Sequence, residues 1–266
     1  MKLAFSTLGC PDWTFEHILK EAQRMGYDAI EIRGIEGQMR AEEIPFFQPG
    51  RQQDTRRAVA AHGLKMCGFG SSVSFHDVDK AESMQDEGRK AIDVCAAMGI
   101  PLVRVFGDRI PEGRSVQEAT ALAAQGIRKL CAYAKGTDVH IALEVHGNFN
   151  TMEVMDSLLA QVPDESFGIL WDVQHSDKVY GDNWRPFYEV IRPYIRHVHI
   201  KDHHRDNGAN RLCRVGAGDV PIHDIVSTLM ADGYDGYFSL EWEKKWHPEL
   251  PDCETEFPAY PKFMRG

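Results

Sequence analysis

The six cysteines of this 266-residue chain form no CxxC pair and no regular framework, which argues against a disulfide scaffold and fits free thiols in a reducing, cytoplasmic setting. Long apolar runs are missing too, so no membrane-spanning segment is expected. The opening stretch MKLAFSTLGCPDW holds one basic residue and a short apolar run broken by Gly9 and Pro11, too short for a signal sequence. No stretch concentrates Lys and Arg, and the formal net charge is -10. Such a field repels a phosphate backbone, so nucleic acid is not an expected partner. A glycine-rich phosphate loop is absent as well: after Lys2-Thr7 the chain reads LGCPDW, and VGAGDVP at Val215-Pro221 is neither GxGxxG nor a P-loop. That speaks against a doubly wound open sheet. Finally, no Pro-rich, Ser-rich or like-charge linker divides the chain, so residues 1–266 are expected to form one domain.

What is present is ordinary globular composition, 43% hydrophobic and 26% charged, with a strong alternation. Short β-branched or apolar runs alternate with longer amphipathic ones, the pattern of a parallel sheet covered by helices. Strands are expected at Lys2-Thr7, Asp28-Arg33, Leu64-Gly70, Leu102-Phe106, His140-His146, Gly168-Asp172, Ile195-Lys201 and Tyr237-Glu243. Helices are expected at Thr14-Met25, Gly50-His62, Lys80-Met98, Ser115-Lys135, Thr151-Gln161, Trp184-Ile191 and Ile222-Ala231. Several end in a residue followed by glycine, as at Met25-Gly26 and Met98-Gly99, where glycine supplies a left-handed cap. Eight strand-plus-helix units predict a closed (β/α)8 TIM barrel. The proline-rich tail from Lys244 reads as an irregular wrap.

Side chains on a barrel strand alternate between the interior and the helix layer. If Ile141, Leu143 and Val145 face helices, then Ala142, Glu144 and His146 face inward; the same parity turns Gly168, Leu170 and Asp172 inward, then His197, His199 and Lys201, then Ser239, Glu241 and Glu243. Glu144, Asp172, His199 and Glu241 thus converge at the carboxyl ends of successive strands, where barrel active sites lie. Carboxylates desolvated together repel, and a single divalent metal ion is the simplest compensation. Carboxylate oxygens with one imidazole and no thiolate favour Mn²⁺, Mg²⁺ or Co²⁺ and also accept Zn²⁺.

The segments ALEVHG, WDVQHS, HVHIKDHHR, VGAGD and SLEWE, in that order, resemble the sugar phosphate isomerase/epimerase family of the xylose-isomerase-like barrel superfamily, over nearly the whole chain. The resemblance implies the same ligands, Glu144, Asp172, His199 and Glu241. It further implies that His175 and Arg205 are substrate contacts, as in the ketose 3-epimerases. The activity it implies is isomerisation or epimerisation of a small carbohydrate-like substrate by proton abstraction next to a carbonyl, through an enediolate. Glu144 and Glu241, from opposite sides of the ligand ring, would remove and return the proton, and Arg205 would steady the enediolate oxygens.

His146, beside Glu144, is placed with the substrate contacts, the alternatives being a partner behind a ligand or an uncommitted mouth histidine. His197 is expected to be a satisfied buried histidine and His76 a surface one. Glu31 and Arg33 read as an internal salt bridge or as substrate contacts. The WEKKWHPELPD stretch is expected to pack the tail, with closure of the pocket mouth as the alternative. Val215-Asp219 is either a phosphate-binding set of N–H groups or a plain turn. Among rival activities, a metal-dependent dehydratase of inosose or 3-dehydroshikimate type shares the first proton abstraction and stays open. An apurinic endonuclease lacks its Asp-x-His before the VGAG turn, since NRLCRVGAG stands there. A non-catalytic sugar-binding barrel would have lost one of the two glutamates, and the further acidic ligands of two-metal xylose isomerases are not found. Self-association into a homo-oligomer is compatible with the sequence.

Overall fold

A computed structural model describes residues 1–206 and 209–266 of the chain. The strands β1 (Lys2–Ser6), β2 (Ala29–Ile32), β3 (Lys65–Ser74), β4 (Leu102–Phe106), β5 (His140–Glu144), β6 (Phe167–Asp172) and β7 (Ile195–Ile200) follow one another around a barrel. A short antiparallel pair, β8 (Asp202–Asp206) and β9 (Ala209–Cys213), projects from the rim before β10 (Tyr237–Leu240) closes the barrel by pairing with both β7 and β1. Every barrel pairing is parallel. The helices are α1 (Phe15–Met25), α2 (Gln52–Ala61), α3 (Ala81–Met98), α4 (Val116–Ala134), α5 (Met152–Leu159), α6 (Val173–Tyr180), α7 (Arg185–Ile191) and α8 (Ile222–Ala231), with α9 (Cys253–Glu256) and α10 (Ala259–Arg265) in the tail. None of them is long and apolar enough to cross a membrane.

The hydrophobic clusters separate the two faces of the barrel wall. Ile141, Leu143, Val145, Ile169, Trp171, Val198, Ile200, Phe238, Leu240 and Trp242 belong to the large core between strands and helices. Leu102, Ala142 and Leu170 pack as a separate small group inside the barrel, as do Ala4, Ala29 and Cys67. Parity read from the sequence therefore holds on each strand that carries a candidate ligand.

Three local expectations need correction. The eight residues of α6 were not anticipated; Asp172 caps them, its Oδ1 accepting from the N–H groups of Gln174 (2.8 Å) and His175 (3.0 Å), a short-helix start of the usual Asp type. The β8–β9 hairpin was also missed. The tail is partly helical rather than irregular, because Pro258 precedes α10 and Pro261 lies in its first turn, where no N–H has an intrahelical partner. This tail fills the seam where the barrel closes: Phe257 packs on Phe5 at 4.3 Å between ring centres, and Tyr260 Oη donates to the Phe238 carbonyl at 3.0 Å.

Candidate metal centre

Glu144 ends β5, Asp172 ends β6, His199 lies one residue from the end of β7, and Glu241 follows β10. Because neighbouring parallel strands end at one rim, one ligand atom from each comes within 4.8 Å of all the others, in a fully buried group. His199 Nδ1 stands at the middle, 3.7 Å from Glu144 Oε1 and 3.5 Å from Glu241 Oε1. It is buried and has no hydrogen-bond partner, while Asp172 Oδ2 faces the Lys201 ammonium at 2.9 Å. Buried polar atoms without partners are rare and call for an explanation. Converging carboxylate oxygens around one bare imidazole nitrogen fit a divalent cation.

The surroundings fix how these groups point. Glu31, on β2, receives both histidines of β7: His197 Nε2 lies 2.8 Å from its Oε2 and His199 Nε2 lies 2.9 Å from its Oε1. That leaves Nδ1 of His199 as the atom turned to the centre, the orientation an outer carboxylate gives a metal-ligating histidine. His197 is thus a satisfied buried histidine, as expected. Glu31 and Arg33 form no ion pair with each other, so the salt-bridge reading of IEIRG fails: Glu31 is engaged from across the barrel by two imidazoles. Burial opposes the charge on Glu31, but His199 and His197 outweigh it and hold the carboxyl well below the usual range.

Arg104, on β4, donates from Nη1 to Glu144 Oε2 at 2.7 Å. Lys201, the residue after β7, lies 2.9 Å from Asp172 Oδ2, 2.7 Å from Glu241 Oε2 and also bonds Glu243. Burial disfavours the ammonium, yet Asp172, Glu241 and Glu243 keep it charged, well above the ordinary lysine range. Glu241 is correspondingly held well below its usual value by Lys201 and His199 against burial. Asp172 differs: for it burial outweighs Lys201, and its pKa is raised. Neither Arg104 nor Lys201 was assigned a role from the sequence. Parity had placed Lys201 inward, which was the available signal, but nothing local tells which carboxylate a buried cation will meet.

His175 lies in the first turn of α6, with its ring 4.3 Å from that of His146. Burial, then Lys201 and His146, press its pKa well below normal, so it stays neutral at pH 7. His146 stands at the rim against Phe106, its Nδ1 3.3 Å from Asp108 Oδ1. His76, expected on the surface, is half-buried and bonded to Ser74. The structure does not bring Arg205 to the ligands. It sits on β8, and its guanidinium is occupied by Asp177 (2.9 Å from Nε and 2.5 Å from Nη2), Asp182 and the Asp219 carbonyl.

The Val215-Asp219 turn does not offer its N–H groups to a phosphate. Gly216 and Gly218 donate to Asp202 Oδ2 at 2.9 and 3.0 Å and Val220 donates to Oδ1 at 3.2 Å, so the protein's own carboxylate fills the cradle. In the WEKKWHPELPD stretch Trp242 and Leu250 are buried, as the packing reading expects, and His247, Glu249, Leu250 and Pro251 border a cavity of about 600 Å³. Across that cavity are Gln174 and Lys178 of α6, Glu243, and β9.

Against known proteins, residues 19–258 match the xylose isomerase-like TIM barrel family. The chain belongs to that family. It is 21% identical to the fructoselysine 3-epimerase of Shigella flexneri over 253 residues, covering 91% of this chain and 90% of that protein. Its fold superposes on the probable 3-DHS dehydratase AsbF of Bacillus anthracis with a TM-score of 0.81 at 16% identity, covering 100% of this chain and 99% of the other. It also superposes on the IOLI protein with a bound zinc atom, at a TM-score of 0.80, 20% identity, and 100% and 97% coverage. A likeness at these identities carries the barrel, and the chemistry must be argued from the side chains.

Proposed function

We propose that this member of the family is a divalent metal-dependent sugar epimerase or isomerase that removes and returns a proton beside a carbonyl, through an enediolate. The observation that carries the reading is the mirrored placement of Glu144 and Glu241. Each turns Oε1 toward His199 Nδ1 and has Oε2 neutralised by a buried cation, Arg104 for one and Lys201 for the other. Two equivalent carboxylates flanking one point suit proton removal on one face of a substrate and delivery on the other. Glu144, Asp172, His199 and Glu241 would hold the ion, and a bound divalent cation there would stabilise negative charge developing on substrate oxygens. Neutral His175 can hold a substrate hydroxyl through a ring nitrogen, and His146 beside it can shuttle a proton with Asp108 steadying its Nδ1. Arg205 could steady enediolate oxygens only after leaving Asp177; in the observed geometry it braces α6 against β8. The match to a sugar epimerase over most of both chains supports a carbohydrate-like substrate.

One observation favours a second reading. The Lys201 ammonium bonds both Asp172 and Glu241, close enough to the centre to protonate a departing hydroxyl, the step that would make the enzyme a dehydratase of inosose or 3-dehydroshikimate type. Incubating ketoses, inososes and 3-dehydroshikimate with metal-loaded protein in D₂O separates the two. Deuterium next to the carbonyl of an undehydrated sugar supports epimerisation, and deuterium with loss of water supports the lyase. No exchange into any of them would rule out both.

A further inference from the structure

Arg33, half-buried, stands apart from the two buried cations at the barrel mouth. Arg104 and Lys201 bond ligand carboxylates, whereas Arg33 makes no ion pair among the described residues. Its Nη2 donates to Ser72 Oγ at 3.0 Å, and its Nη1 is buried with no partner. The guanidinium of Arg104 is next to it, stacked on Phe106 at 3.9 Å, and its Nε is buried and unpartnered as well. Gly70 on β3 is what lets the two side chains share this space: a Cβ there would fall 2.7 Å from both Arg104 Nη2 and Arg33 Cδ.

Adjacent guanidiniums repel, and burial removes the water that would screen them. Burial first and Arg104 second push Arg33 down to about 10, which still leaves it charged at pH 7. The protein's own anions do not resolve the conflict. Glu144 is bonded to Arg104 through Oε2, Glu241 is bonded to Lys201, and both turn their other oxygens to His199. Two arginines with spare N–H groups and one carboxylate between them offer donors to a second oxyanion, whose paired oxygens match the guanidinium fork.

We propose that Arg33, with Ser72 and the free edge of Arg104, anchors an anionic group of the substrate, a carboxylate or a phosphate, so that the substrate is an acidic rather than a neutral sugar. This rests on the mouth being a sugar-processing site, but it makes a separate claim about binding. Calorimetric titration of the metal-loaded protein with D-fructose, D-fructuronate and D-fructose 6-phosphate tests it. At least one anionic sugar should bind about 10- to 100-fold more tightly than fructose, the worth of a charged hydrogen-bonded contact, and which one does so tells carboxylate from phosphate. Arg33→Met should close that gap while leaving fructose binding and metal content unchanged, and Arg33→Lys should restore part of it. Arg33→Gln serves in place of Arg33→Met if that variant does not fold. Equal affinity for all three sugars, or a gap that survives removal of the Arg33 charge, overturns the proposal. Deuterium uptake from D₂O by the same sugars reads the reaction separately: a gap without exchange would count against the epimerase reading and leave the anion anchor standing.

Discussion

The two halves of the barrel divide the site unequally. Strands β5, β6, β7 and the residue after β10 supply the candidate ligands Glu144, Asp172, His199 and Glu241, while the half built on β1 to β4 supplies none of these and contributes Glu31, Arg33 and Arg104. One half presents the atoms that face the centre; the other sets their direction and charge. Glu31 reaches across the barrel to turn His199, and Arg104 reaches to its neighbour on β5 to fix which oxygen of Glu144 points inward. A buried carboxylate left without such partners would protonate or turn away. Polar side chains in the half without candidate ligands are therefore part of the same site.

The sharpest way to break this division is to strike the presenting half. Glu144→Gln and Glu241→Gln should each lower deuterium exchange by about 10²- to 10⁴-fold, the usual worth of a positioned acid or base. If either variant exchanges at the parent rate, that glutamate moves no proton. Next in size is the supporting half. Glu31→Gln keeps the shape but weakens the hold on His199, so metal affinity should fall by about 10- to 100-fold with the fold intact by circular dichroism. An unchanged metal affinity would make Glu31 a partner of His197 alone.

The smallest effect concerns the hairpin that only the presenting half carries. Asp177 of α6 accepts from Arg205 on β8 and pairs with His203. Burial raises its pKa, but the bonds from His203 and Arg205 outweigh that and hold it below the usual range. A carboxyl whose folded pKa is depressed adds stability that is fully present above its unfolded value, near about 3.9, and is lost as pH falls through the folded one. Asp177→Asn, which keeps the shape and one acceptor oxygen, should therefore cost about 0.5–1.5 kcal/mol at pH 7, and the difference in Tm from the parent should shrink below about pH 4. A difference that stays constant down to pH 3 would show that the clamp does not depend on charge.

The presenting half was also the more legible in the sequence. Strict two-residue alternation in HIALE and IRHVHI turns each ligand inward without any knowledge of neighbours, and four agreeing strands leave little freedom. The supporting half was harder to read for a physical reason. In LVRVF nothing local tells that Arg104 meets Glu144, because that pairing depends on register between strands almost forty positions apart. Glu31 and Arg33 are close in sequence, which suggested a local salt bridge, yet the barrel's closure gives Glu31 partners 166 and 168 positions away. The hairpin and α6 escaped for a different reason: HVHIKDHHR and WDVQHS were read as carriers of functional residues rather than as elements. Arg205 shows the consequence, since its place on β8 directs its guanidinium to Asp177.

The central claim is that the four inward side chains hold one divalent ion. Elemental analysis with a metal titration at pH 7.5, on the parent and on Glu144→Gln and Glu241→Gln, tests it most directly. The parent should carry one equivalent of divalent metal per chain, and both variants should bind it clearly more weakly. No metal bound by the parent, or binding of full strength in all three proteins, would contradict it.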